Sequence, residues 1–100
     1  MMKIEEFVPV GAAAAITAAD LARLLDMEPR EVQKHVQNAR CAGVPICASN
    51  SEPYGLYIAE TPEELARYLE SLDRRLKNMA FTRLALGDTL ADMSGQERLF

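Results

Sequence analysis

A run of large apolar residues occupies the C-terminal third of the chain, with its members alternately four and three positions apart. Spacing that averages 3.5 residues is typical of a helix that packs one stripe against a second helix. The run follows the segment 61–64 (TPEE), which combines a capping box with a proline at the first helical position. The pattern therefore predicts one helix over residues 62–93, roughly 48 Å long.

The apolar stripe of this helix is too long for a small domain to cover, and it would leave several hundred Å² of apolar surface in water. We therefore expect a homodimer in which two copies pair through the stripe. The residues expected at this interface are Leu65, Leu69, Leu72, Leu76, Met79, Leu86, Leu90 and Met93. Arg83 interrupts the stripe once, and a single polar residue in such a seam favours one register.

Two questions about this helix stay open at the level of sequence. The paired helices could run parallel or antiparallel. The helix could also break near residues 78–80, so that Phe81, Leu84 and Leu86 fold back as an antiparallel hairpin. Phe81 lies off the stripe, and this position is the main support for the hairpin.

The first 60 residues are predicted to form a small head that contains two helices. Thr17 and Asp20 suit the start of a helix over 18–25, because the threonine oxygen caps free amides and the acid lies at the positive end of the dipole. After a short turn, Pro29 begins a second helix that runs to about residue 42 and ends at Gly43.

Shorter elements flank these two helices. Ile4, Phe7 and Val8 have helical spacing and predict a short first helix. Residues 44–49 and 55–59 read as strands joined by a turn-rich segment, which is the pattern of a β-hairpin. The expected fold is mainly α with a small hairpin and a long C-terminal helix. Its parts are a head over 1–60, a helix over 61–94 and a flexible tail over 95–100.

The second helix of the head has two distinct faces. At about 100° per residue, Val32, Val36 and Ala39 share an apolar edge. The residues on the opposite side are Arg30, Lys34, Gln37 and Cys41. We expect the first face to pack and the second to contact a partner.

The order helix, tight turn, helix, glycine and hairpin is that of a winged helix-turn-helix. Residues 17–58 resemble the domain of the biotin operon repressor type, through ITAADLARLLDMEPREVQKHVQNARCAGVPI and the strand that contains Gly55. The chain is also similar to small phage and prophage helix-turn-helix proteins of Gram-positive bacteria, through GVPICAS, AETPEELARYLESLDRRL and on to the C-terminus. About two thirds of the chain carries the resemblance. The pattern is more specific for the fold than for any one biological role.

The resemblance implies a sequence-specific protein that binds double-stranded DNA, such as a phage-like transcription regulator or replication accessory. Its recognition helix would span residues 29–42. The DNA contacts would fall on Arg30, Gln33, Lys34 and Gln37, with Arg40 near the DNA backbone. Two departures from the family pattern are an acid, Glu28, at the usual Ser or Thr cap and the absence of a basic residue from the hairpin tip, which holds Glu52. We therefore expect little affinity from the tip.

The charge balance supports a different class of function. The net charge is −4 and the 100 residues include 15 acids against 11 bases, whereas DNA-binding domains are usually basic. The alternative interpretation is a protein-interaction adaptor that keeps the winged-helix shape without binding DNA. Retention on heparin or random DNA at low salt would separate the two.

Other classes of function lack residues to support them. There is no Ser-His-acid set, no glycine-rich phosphate loop and no second cysteine pair beside Cys41 and Cys47, so we expect neither an enzyme nor a metal site. We also expect no cofactor and no small-molecule ligand. No apolar run reaches the about 18 residues of a membrane span, and the N-terminus lacks a basic signal-peptide region, which favours the cytoplasm.

Overall fold

The computed structural model describes residues 3–95 of the chain. Backbone contacts divide the chain into two units, which are residues 1–68 and 69–100. The elements in chain order are two short 3₁₀ turns at Ile4–Glu6 and Ala12–Ala14, then α1 Ala18–Leu25, α2 Pro29–Cys41, β1 Ile46–Ser49, β2 Gly55–Ile58 and α3 Pro62–Met93. The coarse prediction of a mainly helical chain with a small antiparallel hairpin and a long C-terminal helix is therefore confirmed.

Helices α1 and α2 begin where the predicted caps place them. The Thr17 Oγ1 accepts a hydrogen bond from the Asp20 amide at 3.0 Å, and Pro29 occupies the first turn of α2. Between the helices the backbone of Asp26 turns through the left-handed region, with φ of 52°. Aspartate is among the few residues other than glycine that adopt this conformation readily. The short connection brings the two helices into contact.

The hairpin packs against the segment that precedes α1. Strands β1 and β2 are antiparallel, with Ile46 opposite Ile58. The amide of Leu56 donates to the carbonyl of Ile16 at 2.6 Å, and the amide of Ile16 donates back to Leu56 at 3.0 Å. Gly55 is required here, because a Cβ at this position would lie 2.3 Å from the carbonyl of Ile16 and φ is 132°.

One apolar core joins these elements within residues 3–68. Its buried members come from the N-terminal segment, both helices and the hairpin. They are Ile4, Val8, Leu21, Ala22, Val32, Val36, Ala39, Ile46 and Leu56. The apolar edge of α2 that the sequence predicts, Val32, Val36 and Ala39, is thus the edge that packs in the core.

The start of α3 is tied to residues outside the helix. The Thr61 Oγ1 accepts from the Glu64 amide at 3.2 Å, which is one arm of the predicted capping box. The Glu64 carboxylate accepts from the amide of Glu60 at 2.7 Å and from the amide of Ala12 at 3.1 Å. These two bonds lower the pKa of Glu64 below its ordinary value of 4.5, because they favour the charged form.

Three expectations need correction. The predicted first helix is only the 3₁₀ turn Ile4–Glu6, because the chain leaves helical geometry before Pro9. Strand β1 starts at Ile46 rather than residue 44, since the Val44 amide bonds to the Ala39 carbonyl and Pro45 has no amide hydrogen. The hairpin alternative is wrong, because α3 continues without a break through residues 78–80.

Two further predictions concern the C-terminal tail and membrane-spanning segments. The tail predicted over residues 95–100 lies outside the described residues, except for Gly95. None of the helices between residues 3 and 95 combines the length and the apolar character that crossing a bilayer requires.

Candidate nucleic-acid interface

Four of the five side chains that the sequence marked as DNA contacts are exposed on α2. Arg30, Gln33, Lys34 and Gln37 are all exposed. In the helical projection, Arg30, Lys34 and Gln37 lie within one arc of about 60°, and no acid lies inside it. We call these three residues the α2 outward face.

The opposite edge of α2 fixes the orientation of that face. Val32 and Val36 are 0% exposed, and Ala39 is 9% exposed. Rotating the helix would expose this edge and bury charged groups, and both changes are unfavourable. The α2 outward face is therefore presented to solvent by the packing of the core.

Arg40 has a different environment from the other four predicted contacts. Its Nε donates to the Ile46 carbonyl oxygen at 2.7 Å, and its guanidinium carbon lies 5.2 Å from the centroid of the Tyr68 ring. Arg40 is half-buried, whereas Tyr68 is 7% exposed. The guanidinium thus links α2 to β1 and to the second turn of α3 by a hydrogen bond and a cation–π contact.

Sequence reasoning missed this arrangement. It grouped Arg40 with the DNA contacts and gave Tyr68 no role, because the contact joins residues 28 positions apart. Its angular position gave no clear signal, because at about 100° per residue Arg40 lies between the buried Val36 and the exposed Gln33. A role for Arg40 at a DNA backbone remains a prediction.

Acidic groups surround the N-terminal end of α2. Glu28 is the N-cap residue, but its side chain makes no capping hydrogen bond. With Asp26 and Glu31 it lines a shallow concavity between α1 and α2. The carboxylates Glu28 and Glu31 are exposed beside Arg30, so they offset part of its positive charge.

The hairpin tip offers no cation to a phosphate backbone. Residues 50–54 (NSEPY) contain neither lysine nor arginine, and all five are exposed. The Ser49 hydroxyl donates to the Ser51 carbonyl at 2.6 Å and accepts from the Ser51 amide at 3.3 Å, which closes the turn locally. The Glu52–Pro53 peptide bond is cis.

The two thiols have opposite surroundings. Cys41 is exposed near the α2 outward face, where its sulfur accepts from the Gln37 side-chain amide at 3.5 Å. Cys47 is 0% exposed, and burial raises the pKa of its thiol. Burial likewise raises the pKa of the Tyr57 hydroxyl on the opposite strand. Within residues 3–95 no three His, Cys, Asp or Glu side chains cluster as metal ligands would.

The side chains predicted to form the dimer interface fall into two groups. Leu65 and Leu72 are half-buried. The other six are exposed by more than half, at 51% for Leu69, 64% for Leu76, 66% for Met79, 62% for Leu86, 68% for Leu90 and 80% for Met93.

Comparison with protein-family models, with curated proteins and with solved structures finds no match to this chain.

Proposed function

We propose that residues 17–58 form a winged helix-turn-helix that binds double-stranded DNA through α2. The order of elements supports this assignment, because two helices joined by a three-residue turn are followed by a glycine and a two-stranded hairpin. The resemblance to phage and prophage proteins favours a regulator or replication accessory of a mobile element.

The observation that carries the proposal is the α2 outward face. A helix in the major groove needs long, exposed donors on one side and a firmly packed opposite side. Arg30 can pair in bidentate fashion with guanine, and Gln37 can do so with adenine, while Lys34 suits a phosphate. Each of these side chains is exposed, and the valines behind them are fully buried.

We further propose that two copies bind together as a homodimer through α3. A dimer places two recognition helices on one duplex, with half-sites about 34 Å apart when they are separated by one helical turn. Arg30 and Lys34 of two copies neutralise few phosphates. The logarithm of affinity should therefore fall with the logarithm of salt concentration by a shallow slope of about −3 to −5.

Fluorescence anisotropy with a pool of random-sequence duplexes at low salt tests the proposal. The double variant Arg30→Ala, Lys34→Ala should lose about 10-fold or more in affinity, because it removes both cations of the α2 outward face. The matched control is the double variant Arg74→Ala, Lys77→Ala, which removes two exposed cations from α3 and should leave affinity unchanged. Gln37→Ala should instead relax the preference at one base position in a selected site.

Equal affinity of the wild type and the double variant would contradict the role of this face. Glu52→Lys adds a cation to the hairpin tip and should strengthen nonspecific binding if the tip lies near the duplex. An unchanged affinity for that variant would place the tip away from DNA.

The second candidate is a protein-interaction adaptor on the same scaffold. Two observations favour it. The carboxylates of Asp26, Glu28 and Glu31 line the concavity at the start of α2, and the net charge of the chain is −4. An adaptor of this charge should pass through a heparin or DNA column at low salt. Failure of the wild type to bind the duplex pool would favour this candidate.

A further inference from the structure

Arg40 makes two directional contacts near the C-terminal end of α2. Its Nε donates to the carbonyl of Ile46 at 2.7 Å, and its guanidinium carbon lies 5.2 Å from the centroid of the Tyr68 ring. Both partner residues are buried. Shielding from water strengthens a hydrogen bond and a cation–π contact alike. This end of α2 is therefore held to β1 and to the second turn of α3 by contacts that require one geometry.

Different contacts hold the two ends of α2. At the N-terminal end, the Met27 amide donates to the Ala22 carbonyl at 3.0 Å and closes the turn from α1. At the C-terminal end, the Val44 amide donates to the Ala39 carbonyl at 3.0 Å, and Arg40 adds its two contacts. The apolar packing between the ends is non-directional. Loss of the Arg40 contacts should therefore loosen one end of α2 and leave the other in place.

On the surface of α2, Arg40 lies between the packed edge and the α2 outward face. At about 100° per residue, it is about 40° from Val36 and about 60° from Gln37. Residues three positions apart are neighbours on a helix, so Arg40 adjoins Gln37. Arg30, at the other end of the α2 outward face, is ten residues and roughly 15 Å away along the helix. Arg40 is thus placed to control the direction of Gln37 and not that of Arg30.

The contacts of Arg40 compete with its predicted role at the DNA backbone. A side-on bidentate contact with a phosphate uses the Nε together with one Nη, and the Nε of Arg40 is already bonded to Ile46. Moving the guanidinium to a phosphate would also remove it from the Tyr68 ring. Arg30 and Lys34, in contrast, are exposed on the arc that points outward.

We propose that Arg40 is a positioning residue that sets the base preference of Gln37, by holding the C-terminal end of α2 against Ile46 and Tyr68. It acts through these two residues and does not touch DNA. A bidentate contact with a base tolerates a displacement of only about 0.5 Å, so slight movement of this end of α2 is enough to lose it. The inference rests on the DNA binding of the proposed function, and it does not depend on how many copies bind.

Selection of bound duplexes from a random-sequence pool, with the full-length protein, tests the proposal. Arg30→Ala and Gln37→Ala first identify the base position that each side chain reads. Arg40→Met keeps a long side chain and removes both the cation and the Nε donor. It should lower the base preference at the Gln37 position by about fivefold or more and leave the preference at the Arg30 position unchanged.

Two variants of Tyr68 show whether Arg40 acts through the ring. Tyr68→Leu keeps an apolar side chain without the ring, and it should relax the same base position although residue 68 is buried. Tyr68→Phe is the matched control, because it keeps the ring and should retain the wild-type preference. Circular dichroism verifies that each variant is folded. If Arg40→Met does not fold, Arg40→Lys replaces it with the same expected loss, because lysine keeps the charge but lacks the Nε donor and the planar group.

The salt dependence of affinity separates positioning from contact with a phosphate. Fluorescence anisotropy with the random duplex pool measures the slope of the logarithm of affinity against the logarithm of salt concentration. Arg40→Met should keep the wild-type slope and an affinity within about twofold of the wild type. A phosphate contact would instead make the slope shallower by about 1 per copy and weaken binding to all sequences alike.

Three outcomes overturn the proposal while leaving DNA binding intact. A shallower salt slope for Arg40→Met would return Arg40 to the DNA backbone. An unchanged base preference in Arg40→Met or in Tyr68→Leu would limit the contact to a role in folding. Equal losses at the Arg30 and Gln37 positions would indicate a general disturbance of α2. Failure of the wild type to select any duplex is distinct from these, because it would overturn the proposed function and this inference together.

Discussion

Apolar residues behave differently in the two units of this chain, although the same kind of periodicity reveals them. In the unit that ends at Tyr68, the apolar edge of α2 is at most 9% exposed. In the unit that starts at Leu69, the stripe residues reach 80% exposure at Met93. A periodic pattern therefore identifies the face of a helix that requires a partner, but it does not say whether that partner lies in the same chain.

The largest expected effect concerns burial inside the first unit. Leu21 is 0% exposed, whereas Leu24, on the same helix, is 65% exposed. Leu21→Ala should lower the free energy of unfolding by about 2–5 kcal/mol, because it removes buried methyl groups and leaves a cavity. Leu24→Ala should change it by less than about 1 kcal/mol. Urea unfolding followed by circular dichroism measures both, and similar values would contradict the assigned core.

An effect of intermediate size is expected when the protein is diluted, because hydrogen exchange should change in the second unit and not in the first. An isolated helix in water is marginally stable, so the proposed homodimer should protect α3 beyond Tyr68 from exchange. Dilution below the dissociation constant should speed amide hydrogen exchange in residues 69–93 by about tenfold or more, while exchange in α1 and α2 stays constant. Mass spectrometry of peptides from the two regions measures this. Exchange in residues 69–93 that does not depend on concentration would show that the helix needs no partner.

The smallest expected effect is a pH dependence at the start of α3. The folded pKa of Glu64 is below 4.5, because the amides of Glu60 and Ala12 donate to its carboxylate. The stabilisation is therefore full above the pKa of the unfolded chain and is lost as the pH falls through the lower pKa of the folded chain. Glu64→Gln should reduce the loss of stability on acidification.

Glu63→Gln is the matched control for that measurement, because Glu63 is an exposed acid on the same turn. Thermal unfolding of both variants at a series of pH values below 6 provides the comparison. The same pH profile for Glu64→Gln and for the control would contradict the assigned role of Glu64.

The helices could be predicted from sequence because their ends are determined by neighbouring residues. The predicted limits of α1 and α3 match the structure, and α2 ends within one residue of its expected end. Thr17 and Thr61 each cap an amide three positions along, and Pro29 has no amide hydrogen to leave unpaired at the start of α2, so a short window of sequence contains the whole cause. The α2 outward face follows from the same local regularity, since the angle between residues is a property of the helix itself.

The contacts that sequence reasoning missed join residues far apart in the chain. Arg40 reaches Tyr68, the Glu64 carboxylate reaches the amide of Ala12, and Gly55 passes the backbone of Ile16. No periodicity or motif marks such pairs, because they depend on how the elements are packed together. The role of the α2 outward face in binding DNA is likewise a property of a complex, and it stays a prediction.

The contrast between the two cysteines makes the folded chain selectively reactive. A thiol reagent modifies the thiolate and needs access to it, so a short exposure of the native protein to a maleimide dye labels Cys41 and leaves the buried Cys47 intact. The dye then lies within one helical turn of Gln37 and reports quenching or rotation when a ligand covers that part of α2. Cys47 reacts only when β1 opens, so the rate of its slower labelling measures how often the hairpin unfolds.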